Sequence, residues 1–233
     1  MKYLFAEFKW EIDEKYGRIS KEAMDYKASF DTADFNISVS ETDIDCEASV
    51  SEQHFSKPYL EFIAVFRKMG EILPLHNAFV LHSACFSVDG IGVAFAAKSG
   101  TGKTTHLSRW QSYLGDKMTV VNGDKPIVRF IDGVPIAYGT PWCGKEKLGS
   151  NTKVPLKHIC FIERSDANFV EKVSKETVVE RILNQVYMPK TNPEALIKTM
   201  ELADRLLSQT EVWIIHCNLD KNAGEIAYKS IFK

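Results

Sequence analysis

A short polar loop between an apolar strand and a helix constrains this chain more than any other stretch. The loop lies within V-A-F-A-A-K-S-G-T-G-K-T-T, residues 93–105. Gly102, Lys103 and Thr104 meet the end of the pattern G-x-x-x-x-G-K-[ST], while Ala97 stands where the first glycine is expected. Such a loop presents backbone N–H groups and a helix N-terminus to an anion. The stretch predicts a phosphate-binding loop, and a glycine-rich turn that caps an ordinary helix is the alternative.

The loop and the first helical turn supply the predicted nucleotide-binding residues. These are Ser99, Gly100, Thr101, Gly102, Lys103, Thr104 and Thr105. Lys103 adds a point charge toward the β and γ phosphates, and the Thr104 hydroxyl is a suitable ligand for a divalent ion. The prediction therefore includes ATP and Mg²⁺ as cofactors.

The composition is that of an ordinary globular protein and excludes several classes. The chain has 233 residues, of which 45% are hydrophobic and 26% charged, and its net charge is −2. Because there is no basic excess, we expect no nucleic-acid partner. There is no apolar run of about 18 residues and no signal segment, which predicts no membrane partner and a cytoplasmic location. The five cysteines lack paired spacing, which favours reduced thiols.

The first part of the chain predicts a small antiparallel β layer followed by a helix. Apolar and polar residues alternate over residues 4–12, and shorter alternations follow at 35–39 and 44–50. A helical pattern with one apolar face covers about residues 58–73. We expect this helix to connect the β layer to the nucleotide-binding part of the chain.

The rest of the chain predicts an α/β domain with a mixed sheet flanked by helices. Two Asp-Gly pairs, at 89–90 and 132–133, predict two-residue hairpin turns. The other predicted elements are strands at 118–121, 158–163 and 212–219 and helices at about 103–113, 174–187, 193–209 and 223–232. We predict an N-terminal unit over residues 1–74 and a P-loop domain over residues 75–233.

The two hairpin turns predict which residues meet at the phosphate loop. With two-residue turns, the first hairpin sets His82, on a strand, opposite Ala97. The second hairpin sets Asp124 opposite Pro141 and brings the loop that carries Lys145 beside it. A Mg²⁺ ligand or catalytic base belongs at the end of the strand that follows a phosphate loop and its helix. Asp124 occupies that position.

Three side chains near the predicted loop mouth are candidates for catalysis. Asp124 would accept the proton of an attacking hydroxyl or complete the metal site with Thr104, and a plain turn aspartate is the alternative. Lys145 would neutralise the transferring phosphate or else lies in solvent. His82 shares a strand face with apolar residues, so a core histidine competes with a role at the loop. Arg164, just past a strand end, is a weaker phosphate candidate.

The segment from His82 to Thr105, H-S-A-C-F-S-V-D-G-I-G-V-A-F-A-A-K-S-G-T-G-K-T-T, resembles the corresponding stretch of bacterial HPr kinase/phosphorylases without a gap. That family places a histidine on the strand before its loop, then a G-x-G turn and an S-G-x-G-K core. The tail S-G-T-G-K-T-T also resembles the nucleotide loop of ATP-dependent phosphoenolpyruvate carboxykinases, which share the fold. The resemblance covers about residues 77–126 and implies a P-loop fold of this type.

The resemblance also implies an activity, with two departures from the family pattern. Both families carry an Asp-Asp pair after the loop helix, where this chain has Gly123-Asp124, and the kinases have Gly and Asp in place of Ala97 and Lys98. Asp124 aligns with the second, catalytic aspartate. The implied protein is an ATP- and Mg²⁺-dependent kinase that phosphorylates a hydroxyl of a protein, a peptide or a small molecule, and it assembles into a homo-oligomer as HPr kinases do. The alternatives are a nucleotide-binding regulatory module without transfer chemistry and a carboxykinase-like phosphoryl transfer.

Overall fold

A small three-stranded sheet and a larger mixed sheet organise the fold. The computed structural model describes residues 1–51, 53–98, 100–218 and 220–233. In these ranges the strands are β1 (Lys2–Phe5), β2 (Phe8–Asp13), β3 (Phe35–Ser38), β4 (Ala78–Val80), β5 (Ala84–Val88), β6 (Ile91–Ala96), β7 (Met118–Asn122), β8 (Ile127–Ile131), β9 (Val134–Tyr138), β10 (Lys153–Arg164), β11 (Phe169–Val173) and β12 (Glu211–Cys217). The helices are α1 (Arg18–Glu22), α2 (Glu41–Ser49), α3 (Lys57–Ile72), α4 (Lys103–Leu114), α5 (Val179–Leu183), α6 (Pro193–Gln209) and α7 (Ala223–Ile231). The predicted α/β class is confirmed.

The N-terminal sheet is mixed rather than antiparallel. β1 and β2 pair antiparallel, with Tyr3 opposite Trp10, but β2 and β3 pair parallel, with Trp10 opposite Phe35. Side chains of β2 alternate between buried and exposed, as the sequence alternation predicts. The predicted β layer is present, and its all-antiparallel pairing is wrong because the chain between β2 and β3 is a crossover that contains α1.

Residues 41–49 form helix α2, so the strand predicted at 44–50 is wrong. The Ser40 hydroxyl accepts the backbone N–H of Asp43 at 3.2 Å, and the Asp43 carboxylate accepts the backbone N–H of Ser40 at 2.7 Å. This reciprocal pair is a capping box, which satisfies donors that a helix start otherwise leaves without partners. Ile44 is buried in the helix. The local capping chemistry therefore outweighs the weak alternation of apolar residues.

Helix α3 packs the N-terminal sheet onto the large sheet. Val65 and Met69 are buried on its inner face, in one hydrophobic cluster with Trp10 of β2 and Tyr138 of β9. The two predicted units thus share a hydrophobic core, and the boundary at residue 74 stays a prediction.

Strand β10 holds the large sheet together because its two halves have different neighbours. Its first residues, 153–155, pair antiparallel with β9, which continues through β8 to β4. Its later residues pair parallel with β6 on one side and β12 on the other. Beyond β6 lie the antiparallel strands β5 and β7, and β11 pairs antiparallel with β12. The sheet is therefore mixed, as predicted.

Both hairpins have the predicted register. Val88 pairs with Ile91, and Ile131 pairs with Val134. All four turn residues have positive φ, from 47° at Asp132 to 87° at Gly133, which is the conformation that a type I′ turn needs. These turns fix the two strand pairs on which the site is built.

The region after β10 differs most from the prediction. The helix predicted at 174–187 is confirmed only in part: a 3₁₀ turn covers Lys175–Val178 and α5 follows it, but residues 184–187 are not helical and Val186 forms a β-bridge with Leu81. Gln185 accepts the backbone N–H of His82 at 2.6 Å, and the backbone N–H of Tyr187 donates to Val80 at 3.0 Å. The predicted helices at 193–209 and 223–232 correspond to α6 and α7. The strand predicted at 212–219 ends at Cys217, and residue 219 lies outside the described residues. Among the helices described, none is long and apolar enough to span a membrane.

Candidate active site

The loop between β6 and α4 is open toward solvent and shaped by two glycines. Gly100 has φ 79° and Gly102 has φ 119°, and a Cβ built on either would meet no atom within 4 Å. α4 begins at Lys103, and Gly102 before it brings no side-chain cap to the helix N-terminus. The first N–H groups of α4 therefore remain available, as an anion site requires. The predicted binding residue Ser99 lies outside the described residues.

Lys103 folds back over the loop toward the predicted catalytic residues. Its Nζ donates to the carbonyl oxygen of Ala97 at 2.9 Å and lies 3.2 Å from Nε2 of His82. Burial lowers the pKa of Lys103, while the negative charge of Asp124 raises it and the positive charge of Lys125 lowers it. The ammonium thus lies inside the site, within reach of a phosphate bound at the loop.

The backbone of Asp124 is held by hydrogen bonds at the end of β7. Asn122, buried at the end of β7, accepts the backbone N–H groups of Asp124 at 2.9 Å and Lys125 at 2.7 Å through its Oδ1. Its Nδ2 donates to Thr140. The Asp124 carbonyl oxygen accepts the backbone N–H of Ser83 at 2.9 Å. These bonds form an Asx-type turn that fixes the direction of the carboxylate.

The Asp124 carboxylate has one cationic and one imidazole partner. Its Oδ1 lies 3.1 Å from Nε2 of His82, and its Oδ2 accepts from Nζ of Lys125, which also lies over the ring of Phe66. Burial alone would raise the pKa of Asp124, but the His82 hydrogen bond and the Lys125 charge outweigh it and hold the pKa below its usual value. The side chain is therefore a carboxylate at neutral pH, able to accept a hydrogen bond or bind a cation.

His82 lies between Lys103 and the Asp124 carboxylate. It lies between β4 and β5 rather than within a strand, and 39% of its side chain is exposed, so it is not a core histidine. An ammonium only donates hydrogen bonds and a carboxylate only accepts them, so Nε2 satisfies either Lys103 or Asp124 at one time. A proton on Nε2 selects the Asp124 contact.

The backbone around Gly123 is tightly packed, which disfavours an aspartate at this position. Its backbone N–H donates to the carbonyl oxygen of Leu148 at 2.7 Å. A Cβ at this position would lie 3.0 Å from the carbonyl oxygens of both Cys143 and Leu148. Any larger side chain would have to move the loop that follows β9. The local packing therefore favours glycine, and the site has one carboxylate, Asp124, at this turn.

The loop after β9 approaches Asp124 as predicted. Lys145 is exposed and lines the same cavity as Asp124. Trp142 is buried, stacks on Phe62 at 4.9 Å between ring centroids, and donates its Nε1–H to the Phe62 carbonyl oxygen at 2.9 Å. Trp142 therefore connects this loop to α3, while Lys145 stays available to a ligand.

Arg164, at the end of β10, contacts the loop between β6 and α4. Its Nη2 donates to the carbonyl oxygen of Gly100 at 2.6 Å, and its Nε donates to that of Thr101 at 3.4 Å. With these two carbonyl groups held by the guanidinium, the opposite face of the loop is left for an anion. Arg164, a weak phosphate candidate from the sequence, instead contacts the loop backbone.

One cavity of about 860 Å³, a volume within the usual range for small-molecule sites, is lined by most of these groups but not by Asn122 or Arg164. Its phosphate-loop side is lined by His82, Lys98, Gly100, Gly102, Lys103, Thr104, Thr105, Gly123, Asp124 and Lys125. Its other side is lined by Arg18, Glu22, Tyr59, Phe62, Ile63 and residues 141–147. The site thus brings the predicted residues Asp124, His82, Lys103, Thr104 and Lys145 together.

The cavity fits a magnesium nucleotide better than a protein-bound metal centre. The described residues contain no cluster of three or more His, Cys, Asp or Glu side chains able to hold a metal ion. Mg²⁺ at phosphoryl-transfer sites usually needs only one or two carboxylates together with substrate phosphates and waters. Thr104, which is exposed, and Asp124 line the same cavity and supply such a set.

Sequence reasoning missed three parts of the site. Asn122, Lys125 and the N-terminal wall that contains Arg18 were not predicted. The spacing of Asn122 and Lys125 is a recognisable Asx-turn signal, in which an asparagine oxygen accepts N–H groups two and three residues later. Arg18 lies more than 60 residues before the first predicted site residue, His82. No local sequence pattern connects it to the predicted site residues.

No protein-family model and no curated protein matches the sequence. A solved structure of the Hpr(Ser) kinase/phosphatase from Coxiella burnetii is 14% identical, with a TM-score of 0.30, over 55% of this chain and 90% of that one. At this TM-score the likeness indicates only a weak fold relationship.

Proposed function

We propose that the protein is an ATP- and Mg²⁺-dependent phosphotransferase that moves the γ-phosphoryl group of ATP to a hydroxyl group. The observation that carries this proposal is the contact chain from Lys103 through His82 to Asp124, which lies at the phosphate loop inside one cavity. A turn that merely capped a helix would not need a half-buried lysine and a half-buried carboxylate beside it.

The binding step uses the loop and its helix. The N–H groups of residues 100–105 and the Lys103 ammonium would hold the β and γ phosphates. Thr104 and Asp124 would hold Mg²⁺, which neutralises charge on the phosphates. Lys145 is the available cation on the opposite loop. Together these groups lower the repulsion that the phosphates present to an incoming oxygen.

In the transfer step the acceptor oxygen forms a bond to the γ phosphorus while the bond from that phosphorus to the β–γ bridging oxygen breaks. ADP leaves with the electron pair, and the hydroxyl proton passes to Asp124. A carboxylate with a low pKa is a weak base, so its main contribution is to orient the hydroxyl. This suffices because phosphoryl transfer has a loose transition state in which the proton leaves late.

The test is incubation with γ-labelled ATP and candidate acceptors from a cell lysate, followed by mass spectrometry of what gains phosphate. Asp124→Asn should abolish transfer, and it should leave the affinity for ATP without Mg²⁺ within about threefold of wild type, since the loop N–H groups and Lys103 rather than Asp124 would hold the phosphates. Asp132→Asn, in a hairpin turn outside the cavity, is the matched control and should transfer normally. Transfer by Asp124→Asn at the wild-type rate would refute the assigned role.

A nucleotide-binding regulatory module is the second candidate, and Gly123 is the observation that favours it. The resemblance places a first aspartate there, and a Cβ at this position would lie 3.0 Å from the Cys143 and Leu148 carbonyl oxygens, which would have to shift to admit one. Such a module would bind ATP but transfer phosphate to no acceptor. Carboxykinase-like chemistry would instead show nucleotide-dependent turnover of oxaloacetate.

A further inference from the structure

The cavity has a second wall that the proposed transfer does not use. Arg18 and Glu22 of α1 form part of it, and Tyr59 and Phe62 of α3 form the rest of its N-terminal side. This wall shares the cavity with Asp124 but belongs to the N-terminal part of the fold. It is therefore placed to contact the acceptor rather than the phosphates.

Arg18 is held in this wall mainly by aromatic rings. Its guanidinium carbon lies 5.0 Å from the ring centroid of Tyr59 and 5.4 Å from that of Phe62. Its Nη2 lies 3.6 Å from Glu22, beyond normal hydrogen-bond length. Its Nε is buried and has no hydrogen-bond partner among the described residues. The buried Nε cannot reach a ligand, but 34% of the side chain is exposed, and a partly exposed guanidinium stacked on rings is well suited to bind a planar or tetrahedral anion.

The charges around the cavity also favour an anion beyond the nucleotide. Six basic side chains line it, namely Arg18, Lys98, Lys103, Lys125, Lys145 and Lys147. Three acidic side chains line it, namely Glu22, Asp124 and Glu146. The chain as a whole has a net charge of −2, so the cavity is a local basic region on an acidic protein. Such a region attracts anionic ligands.

Contacts between the N-terminal part and the loop after β9 limit the size of the acceptor. Lys147 Nζ lies 3.2 Å from a carboxylate oxygen of Glu22, and the Asn151 amide donates to the carbonyl oxygen of Asp25 at 2.8 Å. These contacts tie the two sides of the cavity together. The cavity of about 860 Å³ is partly open to solvent, and its volume is that of a small-molecule site.

We propose that the acceptor is a small hydroxyl compound that carries a carboxylate or phosphate group, and that this anion binds Arg18. The proposal rests on the proposed phosphotransferase and names its substrate class. The Arg18 guanidinium would hold the anion by two N–H donors, with Tyr59 and Phe62 behind it. The acceptor hydroxyl would then lie toward Asp124.

The test measures binding by calorimetry in the presence of a non-hydrolysable ATP analogue and Mg²⁺. The ligands are D-glycerate, which carries a carboxylate, glycerol 3-phosphate, which carries a phosphate, and glycerol as the uncharged control. At least one anion should bind about tenfold more tightly than glycerol, and the stronger of the two identifies the preferred group. Arg18→Met should weaken that binding about tenfold, with Arg18→Lys between it and wild type.

Arg205→Met is the matched control, because Arg205 also stacks on a ring, Phe130 at 4.5 Å, but does not line the cavity. It should bind both anions as wild type does. The proposal would be overturned if the anions and glycerol bound equally well. It would also be overturned if a folded Arg18→Lys variant bound the preferred anion as wild type does. ATP binding is measured in parallel: its absence in wild type refutes the phosphotransferase, whereas ATP binding without anion binding refutes the acceptor class alone.

Discussion

Replacing Arg164 with methionine should weaken nucleotide binding without changing the rate of transfer at saturating ATP. The structure shows one short hydrogen bond, from Nη2 to Gly100 at 2.6 Å, and one long bond to Thr101 at 3.4 Å. A hydrogen bond from a charged donor contributes about 1.5–3 kcal/mol. Because Arg164 is exposed, water competes for it, and we expect a loss of about 1 kcal/mol, or roughly fivefold in Kd.

Calorimetric titration with ATP and with ADP separates a brace from a direct phosphate ligand. A residue that only orders the loop weakens both nucleotides equally, whereas a γ-phosphate ligand weakens ATP alone. Arg181→Met is the control, because Arg181 is a similarly exposed arginine that pairs with Glu163 next to Arg164. Unchanged affinity in Arg164→Met, or a loss confined to ATP, would refute the brace.

Two further predictions concern packing and acidity. Gly123→Asp should lower the free energy of unfolding by about 1–3 kcal/mol in a urea titration, because its Cβ would press on the Leu148 carbonyl. For the same reason, the substitution should not raise the affinity for Mg²⁺. A stable variant that binds Mg²⁺ more tightly would contradict this. Burial raises the pKa of Asp43, but Lys68 and Ser40 outweigh it and lower the pKa from 3.8 to about 2. Asp43→Asn should therefore lower the free energy of unfolding by about 1 kcal/mol above pH 3.8, after allowance for solvent screening. In urea titrations at several pH values, this difference from wild type should disappear as the pH falls toward 2. A difference independent of pH would show that the charge is not involved.

Local signals in the sequence predicted the part of the site that lies close together in the chain. The Asp-Gly turns fixed both hairpin registers, and these placed His82 and the loop after β9 near the loop between β6 and α4. The glycine positions of the loop need positive φ, and the position that follows them needs a positive charge. Few other residue types meet these requirements. For this reason the loop, α4 and β7 were predictable from spacing alone.

Helix capping decided one element that the alternation of apolar residues predicted wrongly, and long-range packing decided the others. The apolar residues at 44–50 alternate as in a strand, but the capping box at Ser40 and Asp43 makes them a helix. Residues 185–187 continue a helical pattern, yet their backbone groups pair with His82 and Val80. The wall that contains Arg18 depends on how the N-terminal sheet packs on the large one. Such contacts have no signature in a single stretch of sequence.

The most direct test of the account is the affinity of the protein for ATP with Mg²⁺, measured by calorimetry on wild type and on Lys103→Met. The account predicts saturable binding at one site in wild type. In the variant we expect affinity to fall by about tenfold or more, because a charge-assisted contact to the phosphates is lost. The variant should keep the wild-type melting temperature in the absence of nucleotide. Failure of wild type to bind ATP, or equal affinity in Lys103→Met, would contradict the central claim that this loop is a nucleotide site.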